Sequence, residues 1–380
     1  MKRFGVFSLL AALLLSVSAS AAGPAVSCPS ALLMEKQTGT VLFAQDEHTP
    51  REPASVTKIM TLLLTMEAID SGALSYDDIV TGSAHAAGMG GSQIWLKENE
   101  RMTVRDLLKA VCIVSGNDAA VALAEHLAGS EDAFVERMNL RAQELGMNDT
   151  HFVNCTGLPA AGHLTSAYDI ALMSRELILR HPDIQQFTTV WMDSLRDGAS
   201  MLVNTNKLVR FYDGTTGLKT GSTDSAGYCL SATAERNGME LIAVVLKGKT
   251  SDERFSDAKS LLNYGFSTWA LVTVTPDEAL PPVPVTLGVQ PAVQPVLTRE
   301  NALLVERGLA NDLTKEVVLA EGVAAPVYEG DVLGQLTVRD AAGNTVAELP
   351  LLAGETVGHV TYAQMLRRYL ALGFCFAPRS

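Results

Sequence analysis

The spacing of apolar positions changes several times along the chain, and each change marks a different kind of element. Behind Lys2 and Arg3 lies an apolar run from Phe4 to Val17, followed by the small residues Ala19-Ser20-Ala21-Ala22. A positive end, a short apolar stretch and a small-residue site predict an export signal over residues 1–22, cleaved after Ala21 or Ala22. The run is short for a bilayer span. A buried N-terminal helix is the plainer alternative. A lipoprotein site at Cys28 fits less well, because Ala25-Val26-Ser27 lacks the usual leucine and lies far beyond the run.

Ala31-Leu32-Leu33-Met34 and Thr40-Val41-Leu42-Phe43 are strand-like, and Lys36-Gln37-Thr38-Gly39 joins them as a hairpin turn. Glu52-Pro53-Ala54 leads into a long apolar helix from Val56 to about Ala68, with Ser55 and Lys58 in its first turn. Residues 103–174 read as helical. Thr103-Val104-Arg105-Asp106 carries a capping signature, and Ala119–Ala128 and Glu131–Leu145 follow as helices. Val114-Ser115-Gly116-Asn117-Asp118 breaks the first from the second, and His163-Leu164-Thr165-Ser166 opens another helix. From about residue 215 the pattern turns to strands: Gly217–Ser222, Tyr228–Thr233 and Met239–Leu246, the last two separated by Asn237-Gly238, a hairpin signal. A helix over Ser256–Tyr264 closes this part. Strands at both ends with helices between them predict an antiparallel sheet built from both ends, with a helical insertion.

Residues 275–352 carry short alternating runs such as Ala325-Pro326-Val327-Tyr328 and Leu336-Thr337-Val338, which predict a small all-β domain. The prolines clustered over 276–295 read as a linker. Thr361–Phe374 returns to helical spacing, with Tyr362, Met365, Leu366, Tyr369 and Gly373 on one face and Gln364, Arg367 and Arg368 away from it. A helix lying in a membrane surface has this pattern, and so does an amphipathic helix docked on the β domain.

Composition narrows the function. The chain has 380 residues, 47% of them apolar, enough for two domains. A net charge of -13 argues against nucleic acid as a partner. The cysteines (Cys28, Cys112, Cys155, Cys229 and Cys375) are odd in number and widely spaced, which argues against a disulfide framework. With no Cys-x-x-Cys pair, they read as small buried hydrophobes rather than as a zinc site.

The candidate chemistry lies in three short motifs. Ser55-Val56-Thr57-Lys58 places a hydroxyl and an amine on one helical face. Serine needs a base, and lysine can serve once burial and a neighbouring cation depress its pKa. Alone the motif is weak, since Ser256-Asp257-Ala258-Lys259 repeats it, on what reads as a surface helix. Ser115-Gly116-Asn117 offers a second hydroxyl and an amide, with a helix N-cap as its plain alternative. Lys219-Thr220-Gly221 sits on a strand, where glycine admits a substrate backbone; its plain alternative is a strand-to-turn junction. In this order, and on these elements, the three match the signature of serine β-lactamases and penicillin-binding proteins.

With Pro53–Met60, Val114–Ala119, His151-Phe152-Val153-Asn154, Gly157-Leu158-Pro159 and Gly217–Thr223, the chain resembles the low-molecular-mass penicillin-binding proteins that are serine D-alanyl-D-alanine carboxypeptidases. The resemblance is strong over about residues 28–265. It implies an α/β (α+β) fold: a β-lactamase/transpeptidase-like domain with an antiparallel sheet flanked by helices and a helical subdomain, plus a small all-β C-terminal domain. The expected division is a signal at 1–22, a catalytic domain at 28–268, an accessory domain at 275–355 and an amphipathic helix at 358–376.

The resemblance also implies roles. Ser55 would attack the carbonyl between two terminal D-alanines of a peptidoglycan stem peptide, and Lys58 would take its proton. Ser115 would pass a proton to the leaving D-alanine, and Asn117 would hold the substrate amide. Lys219 would raise the local potential, and Thr220 and Arg254 would contact the terminal carboxylate. The plain alternative for Arg254 is a solvated charge at a helix start. The N–H groups of Ser55 and of Ser222, which follows Gly221, would form an oxyanion hole. Some family members carry histidine where this chain has Ser222. No metal or cofactor is implied. β-Lactams would act as inhibitors, and the terminal helix would hold an exported enzyme on the outer face of the cytoplasmic membrane. A class A-like β-lactamase is the nearest rival, but Ser-Gly-Asn replaces Ser-Asp-Asn and no deacylating glutamate is evident. A non-catalytic wall-binding or β-lactam-sensing module is the other. Neither a Gly-x-Ser-x-Gly elbow nor His-Glu-x-x-His occurs, which argues against a Ser-His-Asp hydrolase and a zinc peptidase.

Overall fold

The computed structural model describes residues 23–298 and 301–375, so the export signal expected over 1–22 lies outside the described residues. A five-stranded sheet organises the N-terminal part. Its strands are β1 (Ser30–Glu35), β2 (Val41–Gln45), β3 (Thr215–Thr223), β4 (Gly227–Arg236) and β5 (Met239–Gly248). They lie in the order β2-β1-β5-β4-β3, antiparallel throughout. Pairing of β1 with β5, Leu32 opposite Val244, closes the sheet from both ends of this part of the chain. Asn237 and Gly238, at φ 52° and 77°, make the tight turn expected of an Asn-Gly hairpin.

Alternate residues of the sheet enter two different cores. Leu32, Met34, Ile242, Val244 and Leu246 pack with the helical side of the molecule. That side comprises α1 (Lys58–Asp70), α2 (Val104–Ile113), α3 (Asn117–Ala128), α4 (Glu131–Glu144) and α5 (Ala167–Arg180). Ala31, Leu33, Leu241, Ala243 and Val245 pack instead with Phe255, Ala258, Leu261 and Leu262 of α6 (Ser251–Thr268). Cover on both faces explains why Met239–Leu246 is nearly all apolar rather than alternating. Each large aliphatic side chain so buried contributes roughly 1.5–3 kcal/mol, so the sheet is the stiff element from which the loops hang.

Helix starts follow capping chemistry. The side chains of Thr103, Ser130 and Ser166 accept from the backbone N–H groups of Asp106, Ala133 and Asp169. Two boundaries differ from expectation. α6 begins at Ser251 rather than Ser256, because Thr250 caps it through the N–H of Glu253, and this brings Arg254 into the helix. Ser55 lies on a 3-10 turn, Ala54–Thr57, and α1 begins only at Lys58.

The linker expectation for 276–295 is corrected. Those residues supply strands Val283–Thr286, Ala292–Val293 and Pro295–Leu297. Val283, Val285 and Val293 are buried and pack with Val327, Leu333 and Val357, whereas Val296 is exposed. Pro295 opens a short edge strand, and Pro284 stands near the start of a short strand that is flanked on both sides. Trp269–Thr273, which follows α6 directly, pairs with Ala302–Glu306, and residues 274–282 then run without helix or strand to Val283. Cys28, Cys112, Cys155 and Cys229 are free and buried. The terminal helix, α7 (Tyr362–Cys375), does not dock its apolar face: Tyr362 is 81% and Tyr369 76% exposed, and Leu366 and Leu370 are also exposed.

Candidate active site

The site is assembled from the start of α1, the α2–α3 connection, strand β3 and the loop at 154–158. Lys58 is fully buried, and its Nζ lies 2.9 Å from Ser55 Oγ and 2.7 Å from the carbonyl oxygen of Thr156. That carbonyl is presented by a turn folded around Asn154. The Asn154 Oδ1 accepts from the N–H groups of Thr156 and Gly157, and its Nδ2 donates to the carbonyl of Leu158. Gly157, at φ +82°, presses on the nucleophile turn so closely that a Cβ would sit 1.8 Å from the carbonyl oxygen of Ala54. Ala54 itself is left-handed, at φ 49°.

Lys219, also buried, projects from β3 and donates to the carbonyl of Thr220 at 2.8 Å. Burial pushes the Lys58 amine well below the ordinary lysine range, and the positive charge of Lys219 pushes it further. Burial brings Lys219 down to about 7. The pocket therefore holds an amine of depressed pKa against Ser55, with Lys219 beside it.

Gly221 lets β3 meet the nucleophile turn. A Cβ there would lie 2.8 Å from the Ser55 nitrogen and 2.8 Å from the Pro53 carbonyl oxygen. The next residue, Ser222, is exposed. Behind the strand, Arg254 is buried, not solvated. Its Nη1 donates to the carbonyls of Gly221 (2.9 Å) and Cys229 (3.2 Å), and the guanidinium stacks on Phe255.

Ser115 and Asn117 do not cap α3. Gly116 occupies the cap position with no side-chain bond, and Ser115 stands before it at φ 65°. The Ser115 Oγ and the Asn117 Oδ1 are buried without a partner among the described residues. Asn117 Nδ2 donates to Gly90 at 2.6 Å, and the buried carboxylate of Asp118 accepts from the N–H groups of Ile94 and Leu96. These bonds draw the loop at 88–96 across α3. Its Gly91 lies against both Asn117 and Leu158, linking this wall to the loop at 154–158.

Of the residues expected, Ser55, Lys58, Lys219, Thr220 and Gly221 thus surround one place. Arg254 lies beneath it, and Ser115 and Asn117 line its wall. The second Ser-x-x-Lys pair is elsewhere: Ser256 is exposed and, with Lys259 and Phe211, lines an open groove on the outer side of α6. Two contributors escaped the sequence reading. Thr205, whose Oγ1 is 2.7 Å from that of Thr220, follows no motif. His163 was visible only as part of a helix start. It is buried, and its Nδ1 accepts from the Val153 N–H at 3.0 Å. The proton therefore sits on Nε2, which donates to Thr57 Oγ1 at 2.8 Å, beside Lys58.

A serine 2.9 Å from the amine of a buried lysine, on a two-sided α+β sheet, is an arrangement suited to a serine hydrolase. The sequence profile of the D-alanyl-D-alanine carboxypeptidase family matches residues 17–250, and the chain belongs to that family. A second profile, the penicillin-binding protein 5 C-terminal domain, matches residues 275–359. D-alanyl-D-alanine carboxypeptidase DacF of Bacillus subtilis is 41% identical over 344 residues, covering 89% of this chain and 88% of that protein. Among solved structures, penicillin-binding protein 5 from Haemophilus influenzae superposes with TM-score 0.77 at 29% identity, covering 90% of this chain and all of that one (100%). Penicillin-binding protein D2 from Listeria monocytogenes, in its ampicillin-bound form, gives 0.58 at 34% identity, over 63% of this chain and 98% of that one.

Two measurements check the supporting shell. Gly157→Ala is expected to cost at least about 2 kcal/mol in denaturant unfolding, since it adds a clash to a left-handed backbone. A cost below about 0.5 kcal/mol would contradict the close approach. Burial lowers the His163 pKa to about 4, against about 6.5 for an unfolded chain. Between those values the unfolded state binds the extra proton, so stability falls as pH drops from about 6.5 toward 4. His163→Gln should flatten that part of the stability–pH curve; an unchanged slope would show that His163 is not held neutral.

Proposed function

We propose that this chain, a serine-type D-alanyl-D-alanine carboxypeptidase, removes the terminal D-alanine from peptidoglycan pentapeptide stems through an acyl-enzyme on Ser55. The observation that carries the assignment of roles is the Lys58 amine, buried, depressed in pKa and 2.9 Å from Ser55 Oγ. Lys58 accepts the hydroxyl proton as Ser55 Oγ attacks the carbonyl between the two D-alanines. The backbone N–H groups of Ser55 and Ser222 receive the oxyanion, at the contact that Gly221 permits. Ser115 Oγ, with no partner of its own, relays a proton to the departing D-alanine nitrogen. The free Asn117 Oδ1 accepts from the substrate amide. Lys219 keeps the pocket positive, and Thr220 and Arg254 draw in the terminal carboxylate. Water then releases the shortened peptide.

β-Lactams are expected to acylate the same serine, as the ampicillin-bound Listeria relative suggests. A β-lactamase is disfavoured by the C-terminal β region. A non-catalytic module would have no need of the Ser55–Lys58 contact. We take 28–268 as the catalytic domain and 275–355 as the accessory one. The enzyme would be exported and attached to the outer face of the cytoplasmic membrane. Exposed Tyr362, Leu366, Tyr369 and Leu370 on α7 support that attachment. No helix among the described residues is long and apolar enough to cross a bilayer, so α7 would lie in the interface.

Purified mature protein should release D-alanine from a pentapeptide ending in D-Ala-D-Ala, and Ser55→Ala and penicillin should each abolish release. Because the base must be neutral, kcat/KM should fall as pH drops through the depressed Lys58 pKa. Release that survives Ser55→Ala, or that lacks an acid limb, would exclude this mechanism. For attachment, the protein should sediment with anionic phospholipid vesicles, and a chain ending at residue 360 should stay in solution with its activity intact. Equal sedimentation of both would exclude α7 as the anchor.

A further inference from the structure

The loop at 154–158 meets Lys58 through one backbone carbonyl, that of Thr156, and the backbone groups just before it are each held. The Thr156 N–H donates to Asn154 Oδ1 at 3.2 Å, and the Cys155 carbonyl accepts from Thr61 Oγ1 at 2.7 Å. The Cys155 N–H donates to Glu131 Oε1 at 3.0 Å. Asn154 belongs to the loop itself, and Thr61 stands three residues beyond Lys58 on α1. Glu131 alone of these partners comes from a separate element. It is the first residue of α4, directly after the Ser130 cap.

An acidic residue in the first turn of a helix needs no particular partner, because the helix dipole favours it there. Asp132 behaves in that way and is exposed. Glu131 does not. Its side chain is only 15% exposed, with Oε1 turned inward to the Cys155 N–H. Its Oε2 lies 2.9 Å from Nε2 of His85, on the short helix Ala84–Ala87. A hydrogen bond to an ionised acceptor is stronger than one between neutral groups, so the carboxylate is a firm attachment for this peptide unit. Two residues of backbone separate the Cys155 N–H from the carbonyl oxygen that meets Lys58 Nζ at 2.7 Å. That is too little chain to absorb a shift at one end without moving the other.

We propose that Glu131 is a positioning residue for Lys58: by holding the Cys155 N–H, it fixes the Thr156 carbonyl that directs the Lys58 amine at Ser55. The proposal rests on the hydrolase reading above. Its competitor is a Glu131 that acts only through its charge, at the start of α4 and against His85.

Two substitutions separate reach from charge. Glu131→Asp keeps the charge but draws the carboxylate back by one methylene, out of hydrogen-bond range of the Cys155 N–H. Glu131→Gln loses the charge but keeps Oε1 in place as an acceptor. Both proteins are checked for folding by circular dichroism, and acylation of Ser55 is then followed over a range of fluorescent penicillin concentrations. Glu131→Asp should lower the limiting acylation rate about 10-fold or more, while the concentration giving half that rate changes by less than about twofold, because a misdirected base slows chemistry rather than binding. Glu131→Gln should stay within about threefold of wild type in both. Hydrogen exchange at the Cys155 amide, which does not depend on activity, should quicken in Glu131→Asp and stay slow in Glu131→Gln. A Glu131→Asp variant that acylates like wild type or exchanges no faster at Cys155 overturns the positioning role. So does a Glu131→Gln variant as slow as Glu131→Asp. A wild type that is not acylated and releases no D-alanine from a D-Ala-D-Ala pentapeptide overturns the hydrolase reading and this role with it, and that outcome is visible before any variant is made.

Discussion

Two lysine side chains share one dry pocket, and the rest of the site is arranged around that fact. A buried ammonium is costly, and two of them side by side are costlier. Burial and the charge of Lys219 both hold the Lys58 amine, which faces Ser55, well below the ordinary lysine range. The Thr156 carbonyl accepts from the Lys58 amine and fixes its direction toward the serine hydroxyl. The two lysines are told apart by their partners: Ser55 and the Thr156 carbonyl for Lys58, the Thr220 carbonyl for Lys219.

Such a pocket needs a rigid frame, because a small displacement would let water in and return both lysines to ordinary pKa values. The sheet supplies rigidity through its two apolar faces. Close backbone approach then transmits it to the chemistry. Gly221 joins β3 to the nucleophile turn, Gly157 joins the Asn154 loop to that turn from another side, and Gly91 joins the loop over α3 to both walls. His163 ties Val153, next to the Asn154 loop, to Thr57 through its ring. The contacts of Gly221, Gly157 and His163 converge on residues 54–57, which explains how a left-handed Ala54 is tolerated there, at a cost of roughly 1–3 kcal/mol.

Much of this was legible before any coordinates. The five strands and the helices between them follow from apolar spacing, capping residues and one Asn-Gly turn. The three motifs name most of the pocket. What spacing cannot convey is which polar residue faces which. Thr205 belongs to no motif, because its role is set by the two buried asparagines beside it and by a hydrogen bond to a residue 15 positions away. For Arg254 the plain alternative, a solvated charge at a helix start, gives way because the cap at Thr250 extends α6 and turns the guanidinium under β3. The prolines over 276–295 read as a linker because proline is usually depleted from strands, yet Pro295 opens a short edge strand and Pro284 stands second in a short one. In each case a tertiary contact overrode a local preference.

The buried atoms without partners bear on how the pocket is used. An unpaired buried hydroxyl or amide oxygen costs about 1–3 kcal/mol, and stable folds rarely tolerate two in one place. Ser115 Oγ and Asn117 Oδ1 are both in that state, on the wall closest to where a bound peptide would lie. The Asn117 amide nitrogen is committed to the Gly90 carbonyl, which fixes the direction in which its oxygen points. Under the reading proposed above, the substrate amide completes the hydrogen bonding of that oxygen, and a site held in place in this way favours the reacting geometry over a loosely bound one.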